Sequence, residues 1–254
     1  MAECKICPHN CFEESRCGKG EFGQISSMAI DPIEKKPLRR FHSGRPIFSI
    51  GGFGCNLRCP FCQNHEIAMG KGVGKTLTPE DIVALAKDIP NNIGVAYTYN
   101  EPLIHYNFVS KCAKLVRDSG LCNVLITNGY INQKPLQALL PLIDAMNIDL
   151  KGFTEEYYAK LGGTLQPVLD TISLASKHCH VEITTLVIPD ENESHIEPIA
   201  KWLADLNPEI PLHISRFYPC YRYSDKSPTE VGRIYELCSI AEKYLKFVYP
   251  GNVH

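Results

Sequence analysis

Residues 54–64 read Gly-Cys-Asn-Leu-Arg-Cys-Pro-Phe-Cys-Gln-Asn, and this stretch decides the fold. It places Cys55, Cys59 and Cys62 in one loop with the spacing C-x3-C-x2-C. Iron–sulfur clusters are bound by cysteine thiolates, and a cube of four irons takes four ligands. Three cysteines in one loop can therefore bind three irons and leave the fourth open to a small molecule. Zinc sites usually combine two C-x2-C pairs or mixed cysteine and histidine sets, which this triplet fits poorly.

Length and composition limit the class of protein. The chain has 254 residues, of which 44% are apolar, and this is enough for one domain of barrel size with a substantial core. Its net charge of −2 gives no large basic surface for a nucleic acid polymer. The sequence contains no apolar run long enough for a membrane span and no signal peptide. Its twelve cysteines therefore indicate metal or redox chemistry in the cytoplasm.

A short cysteine-rich extension, residues 1–46, precedes the main domain. Cys4, Cys7, Cys11 and Cys17 follow the pattern C-x2-C-P-H-x-C-x5-C, which is enough to bind one zinc ion or a second iron–sulfur cluster. His9 could replace one of these cysteines as a ligand. The alternative is that the four cysteines are reduced structural thiols. Residues 27–46 are expected to be irregular or short β structure.

From residue 47 onward, short apolar strands alternate with helices. Such alternation is typical of α/β proteins in which βα units surround a parallel sheet. A helix is expected to begin near Thr78, whose hydroxyl can cap it. Six units predict a partial (β/α)6 TIM-like barrel over residues 47–254, with strands at 47–50, 93–97, 122–127, 145–150, 181–188 and 212–215.

Candidate site residues, most of them polar, follow five of these strands, where parallel barrels place their chemistry. They are Tyr99, Asn100 and Glu101 after the second strand, Thr127 and Asn128 at the third, Asp149 and Lys151 at the fourth, Val187 at the fifth, and His213 and Arg216 at the sixth. Because the carboxyl ends of parallel strands meet at one end of a barrel, we expect a shared site there. The alternative for a strand-end asparagine or aspartate is a helix cap.

The cysteine spacing, with Phe61 beside the last cysteine, resembles the radical S-adenosylmethionine (SAM) superfamily. The resemblance implies a [4Fe–4S] cluster on Cys55, Cys59 and Cys62, with SAM bound to the open iron. It also implies reductive cleavage of SAM to a 5′-deoxyadenosyl radical. Residues 100–102, Asn-Glu-Pro, stand where the superfamily often has Gly-Gly-Glu, and residues 149–151 match the Asp-x-Lys of glycyl-radical activating enzymes.

The groups that SAM presents suggest roles for the strand-end residues. Its ammonium needs an acceptor such as Glu101, and its carboxylate needs a cation such as Lys151. The alternative for Lys151 is a surface ion pair with Asp149, which would contribute under about 1 kcal/mol. The remaining expected contacts are the ribose with Thr127, Asn128 and Asp149, and the adenine with Phe61 and residues 187–189; Asn100 and His213 complete the expected cofactor site.

Lys151, His65 and His213 are the candidate catalytic residues. A histidine in a cleft can donate a proton, form a hydrogen bond, or be a satisfied core residue, and the sequence leaves these readings open. The candidate substrate contacts are Tyr99, His254 and the arginines Arg39, Arg45 and Arg216, the last three because a guanidinium can hold a phosphate or a carboxylate.

Segments along nearly the whole chain resemble the radical SAM enzymes of the AmmeMemoRadiSam system, which are relatives of pyruvate formate-lyase activating enzyme. Among them are Cys-Pro-His near the N-terminus, Asp-Pro-Ile-Glu-Lys-Lys-Pro-Leu at 31–38 and Asp-Leu-Lys-Gly at 149–152. Longer members of that group continue past the Gly-Asn-Val that precedes His254. The shorter chain resembles compact members such as queuine lyase, which releases queuine from queuosine 5′-phosphate, and implies a small closed site.

The resemblance implies a small-molecule substrate, such as a nucleotide, and a one-electron donor such as flavodoxin or ferredoxin. Two other functions stay open on the sequence. The chain could be an activase that places a glycyl radical on a protein partner. It could also be a metal-binding module without enzymatic activity.

Overall fold

One sheet organises the computed structural model, which describes residues 3–11, 17–18, 22–70, 72 and 74–253. The described strands are β1 (Gln24–Ile25), β2 (Ser27–Pro32), β3 (Pro46–Gly51), β4 (Lys75–Thr76), β5 (Gly94–Tyr97), β6 (Cys122–Thr127), β7 (Ala145–Asp149), β8 (His180–Val187), β9 (Leu212–Arg216) and β10 (Val248–Gly251). Eight of them form the main sheet in the order β10-β9-β8-β7-β6-β5-β3-β2. Every neighbouring pair is parallel except β2 with β3. The small β1–β4 pair is antiparallel and separate.

Helices connect the parallel strands, as parallel pairing requires. Those in the described part of the chain are α1 (His65–Met69), α2 (Pro79–Asp88), α3 (Tyr106–Asp118), α4 (Gln133–Leu139), α5 (Glu155–Lys160), α6 (Gln166–Ala175), α7 (Ile196–Leu206) and α8 (Val231–Ala241). Helix α2 begins as predicted, because Thr78 accepts a hydrogen bond from the Asp81 backbone and the Asp81 side chain accepts one from the Thr78 backbone. No described helix has the length and apolar character needed to span a membrane.

The predicted α/β partial barrel is confirmed, with six βα strands from β3 to β9. The structure adds a strand at each end of the sheet. Strand β2 pairs with β3 along its whole length, and β10 continues the parallel order beyond β9. In the described residues the two end strands do not pair with each other, so the sheet stays open.

Side chains on each strand alternate between the helices and the barrel interior, because successive strand residues point to opposite faces. On β3, Phe48 and Ile50 join the large core beneath the helices, whereas Ile47 joins a second, smaller core. Val124 on β6 and Ala145 on β7 also belong to the smaller core. The outer core fixes the helices on the sheet, and the inner one fills the barrel.

Residues 33–41, here called the interior segment, fill the barrel between β2 and β3. Ile33 and Leu38 are fully buried in the inner core. The Asn147 side chain donates a hydrogen bond to the Pro37 carbonyl oxygen at 2.9 Å. Buried Glu182 accepts hydrogen bonds from the backbone N–H groups that follow Leu38, at 3.1 and 2.7 Å. The interior segment is therefore tied to the strands around it and forms the floor on which the candidate site rests.

Candidate active site

A cavity of about 400 Å³ opens where the parallel strands end. The loop after β3 and the ends of β5, β6 and β7 supply much of its wall, as the strand-end motifs predicted. The residues predicted from the sequence that line it are Cys55, Cys59, Phe61, Cys62, Tyr99, Asn100, Glu101, Thr127, Asn128, Asp149 and Lys151. Residues from four separate segments of the chain thus meet in one cavity.

The three cysteine thiols share this cavity and are suited to bind an iron–sulfur cluster. Burial raises the pKa of all three thiols, that of Cys59 to about 11, so metal binding must displace their protons. Two donors reach the Cys55 sulfur: the Leu57 N–H at 3.4 Å and the Asn128 amide at 3.6 Å. Such donors stabilise cluster thiolates. No described group of three or more Cys, His, Asp or Glu could bind a single metal ion.

The cluster loop is held by backbone contacts that its sequence requires. Gly54 has φ +90°, and a Cβ there would lie 2.3 Å from the Cys17 carbonyl oxygen, so only glycine fits. The Cys55 N–H donates to that same oxygen at 2.9 Å. Asn56 links the loop to the end of β6, since its Oδ1 accepts from the Asn128 amide at 2.8 Å. Asn56 was not predicted as a site residue, because it occupies one of the positions between the cysteines at which the motif accepts any residue.

Glu101 ties the ends of β5 and β6 together at the cavity wall. Its Oε1 accepts from the Leu103 N–H at 2.9 Å and the Thr127 hydroxyl at 2.7 Å, and its Oε2 accepts from the Asn128 N–H at 2.8 Å. A carboxylate offers about four acceptor positions, so one remains for a ligand such as an ammonium group. Burial raises the pKa of Glu101 to about 7, although the three hydrogen bonds oppose this.

SAM affinity is therefore expected to depend on pH near neutrality. In the role predicted from the sequence, Glu101 accepts from the SAM ammonium in its charged form above pH 7, and protonation below pH 7 removes that charge. The Kd for SAM should rise by up to about tenfold per pH unit as the pH falls from 7 to 6. Equilibrium dialysis with the reconstituted protein measures this. Glu101→Gln should bind weakly with no such slope, and a flat wild-type profile would contradict the role of Glu101.

Asp149 and Lys151 form an ion pair at the end of β7, with the ammonium 3.3 Å from Asp149 Oδ2. Burial alone disfavours the charged ammonium, but Asp149 and the neighbouring cysteines outweigh it and raise the pKa of Lys151. The Lys151 backbone is fixed by Tyr158, whose hydroxyl oxygen accepts from its N–H at 3.2 Å, and by Asn192, whose amide donates to its carbonyl oxygen at 2.8 Å. A charged donor is therefore fixed beside the cluster cysteines.

Asn100 occupies the corner where the sequence departs from Gly-Gly-Glu. Its Oδ1 accepts from the Gly52 N–H at 3.0 Å, and its Nδ2 donates to the Gly54 carbonyl oxygen at 3.0 Å. Its side chain thus supports the backbone that leads into the cluster loop. Phe61 is 5% exposed and lies 6.1 Å from the Tyr223 ring, so it gives the cavity an apolar wall.

Three predicted cofactor or catalytic residues lie outside the described lining of the cavity. His65 stacks on Tyr221 at 4.5 Å, with Nδ1 3.2 Å from the Cys62 carbonyl oxygen. His213 is buried in the interior and lies 2.6 Å from a Glu182 oxygen. Val187 points into the outer core, and its carbonyl oxygen already accepts from Thr229. Its neighbour Leu186 faces the cavity instead, because strand side chains alternate.

The predicted substrate arginines also have partners away from the described lining. Arg45 precedes β3 and donates to the Asn91 carbonyl oxygen at 3.1 Å. Arg216 donates to the Thr229 carbonyl oxygen at 2.6 Å and to the Tyr218 hydroxyl at 2.8 Å. The Arg39 guanidinium lies over the Tyr249 ring at 5.3 Å. His254 lies outside the described residues.

Sequence reasoning missed the polar side of the cavity. The residues there are Lys35, Lys36, Thr184, Ser215 and Asn252. The two lysines belong to an Asp-Pro-Ile-Glu-Lys-Lys-Pro-Leu segment that the sequence analysis expected to be irregular or short β structure. The repeated lysine between prolines was the available signal, but only the path of the interior segment brings it into the barrel.

The cysteine-rich N-terminal segment packs against the cluster loop. His9 Nε2 lies 2.8 Å from the Asn56 carbonyl oxygen, and the His9 ring meets the edge of Tyr130 at 5.2 Å. Cys7 is buried, and burial raises the pKa of its thiol. In the described residues its four cysteines do not form a group that could bind one metal ion. The second metal centre stays a prediction.

Comparisons with known proteins show what the chain as a whole is similar to. A sequence model described as the radical SAM superfamily matches residues 49–203. An uncharacterized protein of Methanocaldococcus jannaschii is 40% identical over 272 residues, which cover 98% of this chain and 81% of that protein. Another protein of that organism, named as a candidate glycyl-radical enzyme activating enzyme, is 28% identical over 206 residues, or 77% of each chain.

Solved structures show the same fold at low sequence identity. The crystal structure of a radical SAM methyltransferase from Sphaerobacter thermophilus matches with a TM-score of 0.64 and 14% identity. The match covers 83% of this chain and 67% of that one. At this identity the likeness concerns the fold alone. The function of the site depends on the residues described above.

Proposed function

The chain belongs to the radical SAM superfamily, as its cysteine motif predicted, and on that premise we propose that it removes a hydrogen atom from a small molecule bound in the cavity. The family uses a [4Fe–4S] cluster and SAM. When bound, they supply a 5′-deoxyadenosyl radical that takes a hydrogen atom from the substrate. Cys55, Cys59 and Cys62 are the cluster ligands in this proposal. The electron donor is a flavodoxin or a ferredoxin.

The protein's own residues orient SAM and limit access to it. Glu101 has one acceptor position left for the ammonium, and Lys151 has donors for the carboxylate. The Asn128 amide donates hydrogen bonds to Asn56 Oδ1 and to the Cys55 sulfur. Asn128 therefore stabilises the cluster loop and positions its cysteine ligands. The apolar wall at Phe61 restricts water near the reacting groups.

A measurement of SAM binding tests the proposed role of Lys151. Lys151→Met is expected to raise the Kd for SAM by about tenfold or more, because it removes a charged hydrogen bond to the carboxylate. Lys160→Met is the matched control, since Lys160 in α5 is 54% exposed and pairs only with a surface glutamate in the described structure. Equal affinities of wild type and Lys151→Met would remove Lys151 from the site.

The position of the interior segment is the observation that supports a small-molecule substrate. This segment fills the barrel below the cavity, with Ile33 and Leu38 fully buried, so the substrate must share the cavity of about 400 Å³ above it with the cluster and SAM. Within this class we propose release of queuine from queuosine 5′-phosphate. Abstraction of the C2′ hydrogen would leave a sugar radical, and breaking the neighbouring C1′–N bond would then form a C1′=C2′ double bond and release the base as a radical. One electron from the flavodoxin or ferredoxin and one proton would convert this radical to queuine.

Mass spectrometry of anaerobic reactions tests this substrate. The reconstituted protein is incubated with dithionite, SAM and queuosine 5′-phosphate, and free queuine and 5′-deoxyadenosine are quantified. Queuine formed in proportion to 5′-deoxyadenosine supports the lyase. Formation of 5′-deoxyadenosine without queuine would reject this substrate and leave the radical SAM reaction intact.

Activation of a glycyl-radical enzyme is the second candidate. It is favoured by the 28% identical relative that is named for this activity and by the Asp149-Leu150-Lys151 motif. It requires the cavity to admit a peptide loop from a partner. Electron paramagnetic resonance after incubation with pyruvate formate-lyase, as a probe partner, would detect a glycyl radical. A radical signal there would favour the activase over the small-molecule enzyme.

A further inference from the structure

We propose that the polar side of the cavity, formed by Lys35, Lys36 and Ser215, is a subsite for an anionic group of the substrate, either a carboxylate or a phosphate. The proposal rests on the proposed function only in assuming that this cavity holds the substrate. All three residues line the same cavity as the cluster cysteines. The subsite would orient the substrate by its acidic group and leave its other end toward Cys55, Cys59 and Cys62.

Charge is the first argument for the subsite. Lys35 and Lys36 share one carboxylate, since Lys35 Nζ lies 3.2 Å from Asp31 Oδ1 and Lys36 Nζ lies 2.8 Å from Asp31 Oδ2. Two ammonium groups and one carboxylate leave one positive charge at the cavity, and the Lys35 side chain, which is 69% exposed, places part of it near solvent. The Lys36 side chain is only 5% exposed, so water screens it little. An anion entering the cavity would balance this charge.

The hydrogen-bonding capacity of Lys36 is the second argument. An ammonium group has three donors. In the described structure Lys36 donates one hydrogen bond, to Asp31, and its Nζ also lies over the Tyr99 ring, which leaves at least one donor for a ligand. Thr184 and Ser215 line the same cavity, and of these two hydroxyls that of Thr184 already donates to Asn147 Oδ1 at 3.0 Å. Because an unpartnered donor is costly to bury, a ligand that accepts these hydrogen bonds would be favoured.

The third argument is that Tyr99 contacts both Asp31 and Lys36 and so fixes their positions. Its φ of +69° is rare for a residue with a bulky side chain and marks local strain. In this conformation its hydroxyl donates to Asp31 at 3.0 Å, and its ring lies 4.6 Å from Lys36 Nζ. The Asn64 amide fixes its carbonyl oxygen at 2.6 Å. Strain of this kind is found mainly at binding sites, and here it positions a cation.

Among the described residues that line the cavity, the cations are Lys35, Lys36 and Lys151, and Lys151 is already assigned to the SAM carboxylate in the proposed function. Lys151 lies at 3.3 Å from Asp149 and beside the cluster cysteines. Arg45 and Arg216 donate to backbone carbonyl oxygens elsewhere. A substrate acid that avoids the SAM carboxylate site would therefore be drawn toward Lys35 and Lys36.

Binding without turnover tests the subsite. The reconstituted holoenzyme with SAM but no reductant is titrated with ribose 5-phosphate, glutarate or neutral ribose by isothermal titration calorimetry. At least one of the two anions should bind, and ribose should not; the anion that binds tells phosphate from carboxylate. Lys36→Met should raise the Kd of that anion by about tenfold or more. The control Lys114→Met, on the exposed face of α3, should match wild type.

Two results would overturn the subsite. One is equal affinity for the anion in wild type and Lys36→Met, and the other is no difference between the anions and ribose. If Lys36→Met does not fold, the double variant Asp31→Asn/Lys36→Met removes both charges of the buried pair and keeps the test open, because replacing both partners is often tolerated. Since no SAM is cleaved, the outcome is independent of whether 5′-deoxyadenosine forms.

Discussion

Replacing Cys55, Cys59 or Cys62 by alanine, one at a time, is expected to lower 5′-deoxyadenosine formation by more than about 100-fold. Changes to residues that only support a metal ligand typically cost 10–100-fold, and loss of the ligand itself should exceed this. All three thiols line one cavity, and Cys55 receives two hydrogen bonds to its sulfur. Iron and sulfide content and the electron paramagnetic resonance signal of the reduced cluster should fall in parallel.

Cys238→Ala is the matched control for these variants. Cys238 is buried in α8, outside the described lining of the cavity, and burial raises its pKa to about 12. The substitution should keep the iron content and the 5′-deoxyadenosine yield of the wild type. Full iron content in Cys59→Ala would show that the cluster is bound elsewhere.

Glu182→Ala is expected to lower the free energy of unfolding by about 3–5 kcal/mol. The Glu182 side chain is fully buried inside the barrel. It accepts from His213 at 2.6 Å and His180 at 2.9 Å, and from the backbone of Arg39 and Arg40 at 3.1 and 2.7 Å. Removing it leaves these donors without an acceptor and frees the interior segment from β8.

Urea denaturation at neutral pH measures this effect. Glu156→Ala is the control, because the Glu156 side chain is 86% exposed and its ion pair with Lys160 spans 3.9 Å. That control should change the free energy of unfolding by less than about 1 kcal/mol. Equal stability of Glu182→Ala and wild type would show that Glu182 does not anchor the interior segment.

The same residue should make the protein sensitive to acid. Burial opposes the charged form, but hydrogen bonds from His180, His213 and two backbone N–H groups outweigh it and lower the pKa of Glu182 from 4.5 to about 2. A carboxyl with a lowered pKa stabilises the fold above pH 4.5, and this stability is lost as the pH falls toward 2. The loss should be about 3 kcal/mol and should be absent in Glu182→Ala.

The parallel strands could be predicted because each is a short apolar run bounded by turns and followed by a helix. The prediction for β6 (Cys122–Thr127) matches the structure at both ends, and Thr78 caps α2 as its sequence implied. Strand β10 was missed because it contains Pro250 and is only half-buried, so it lacks the apolar pattern of a central strand.

The cofactor side of the cavity could be anticipated because carboxyl ends of parallel strands converge. On this ground alone, Glu101, Asn128 and Lys151 could be predicted to lie together at one end of the barrel, and all three line the cavity. Convergence of the strand ends does not locate His213, which lies deeper on β9 and faces Glu182, because a residue's depth in the barrel is not encoded in its position near a strand end. It also could not place Lys36, since the interior segment has no periodic pattern and its path depends on contacts with distant strands.

The most direct test of the central claim is 5′-deoxyadenosine formation by the anaerobically reconstituted protein. The protein is mixed with SAM and dithionite, and the product is quantified by mass spectrometry beside the Cys59→Ala variant. We expect 5′-deoxyadenosine from the wild type and only background from the variant. A wild-type protein with a full cluster and bound SAM that forms no 5′-deoxyadenosine would contradict the assignment of radical SAM chemistry to this cavity.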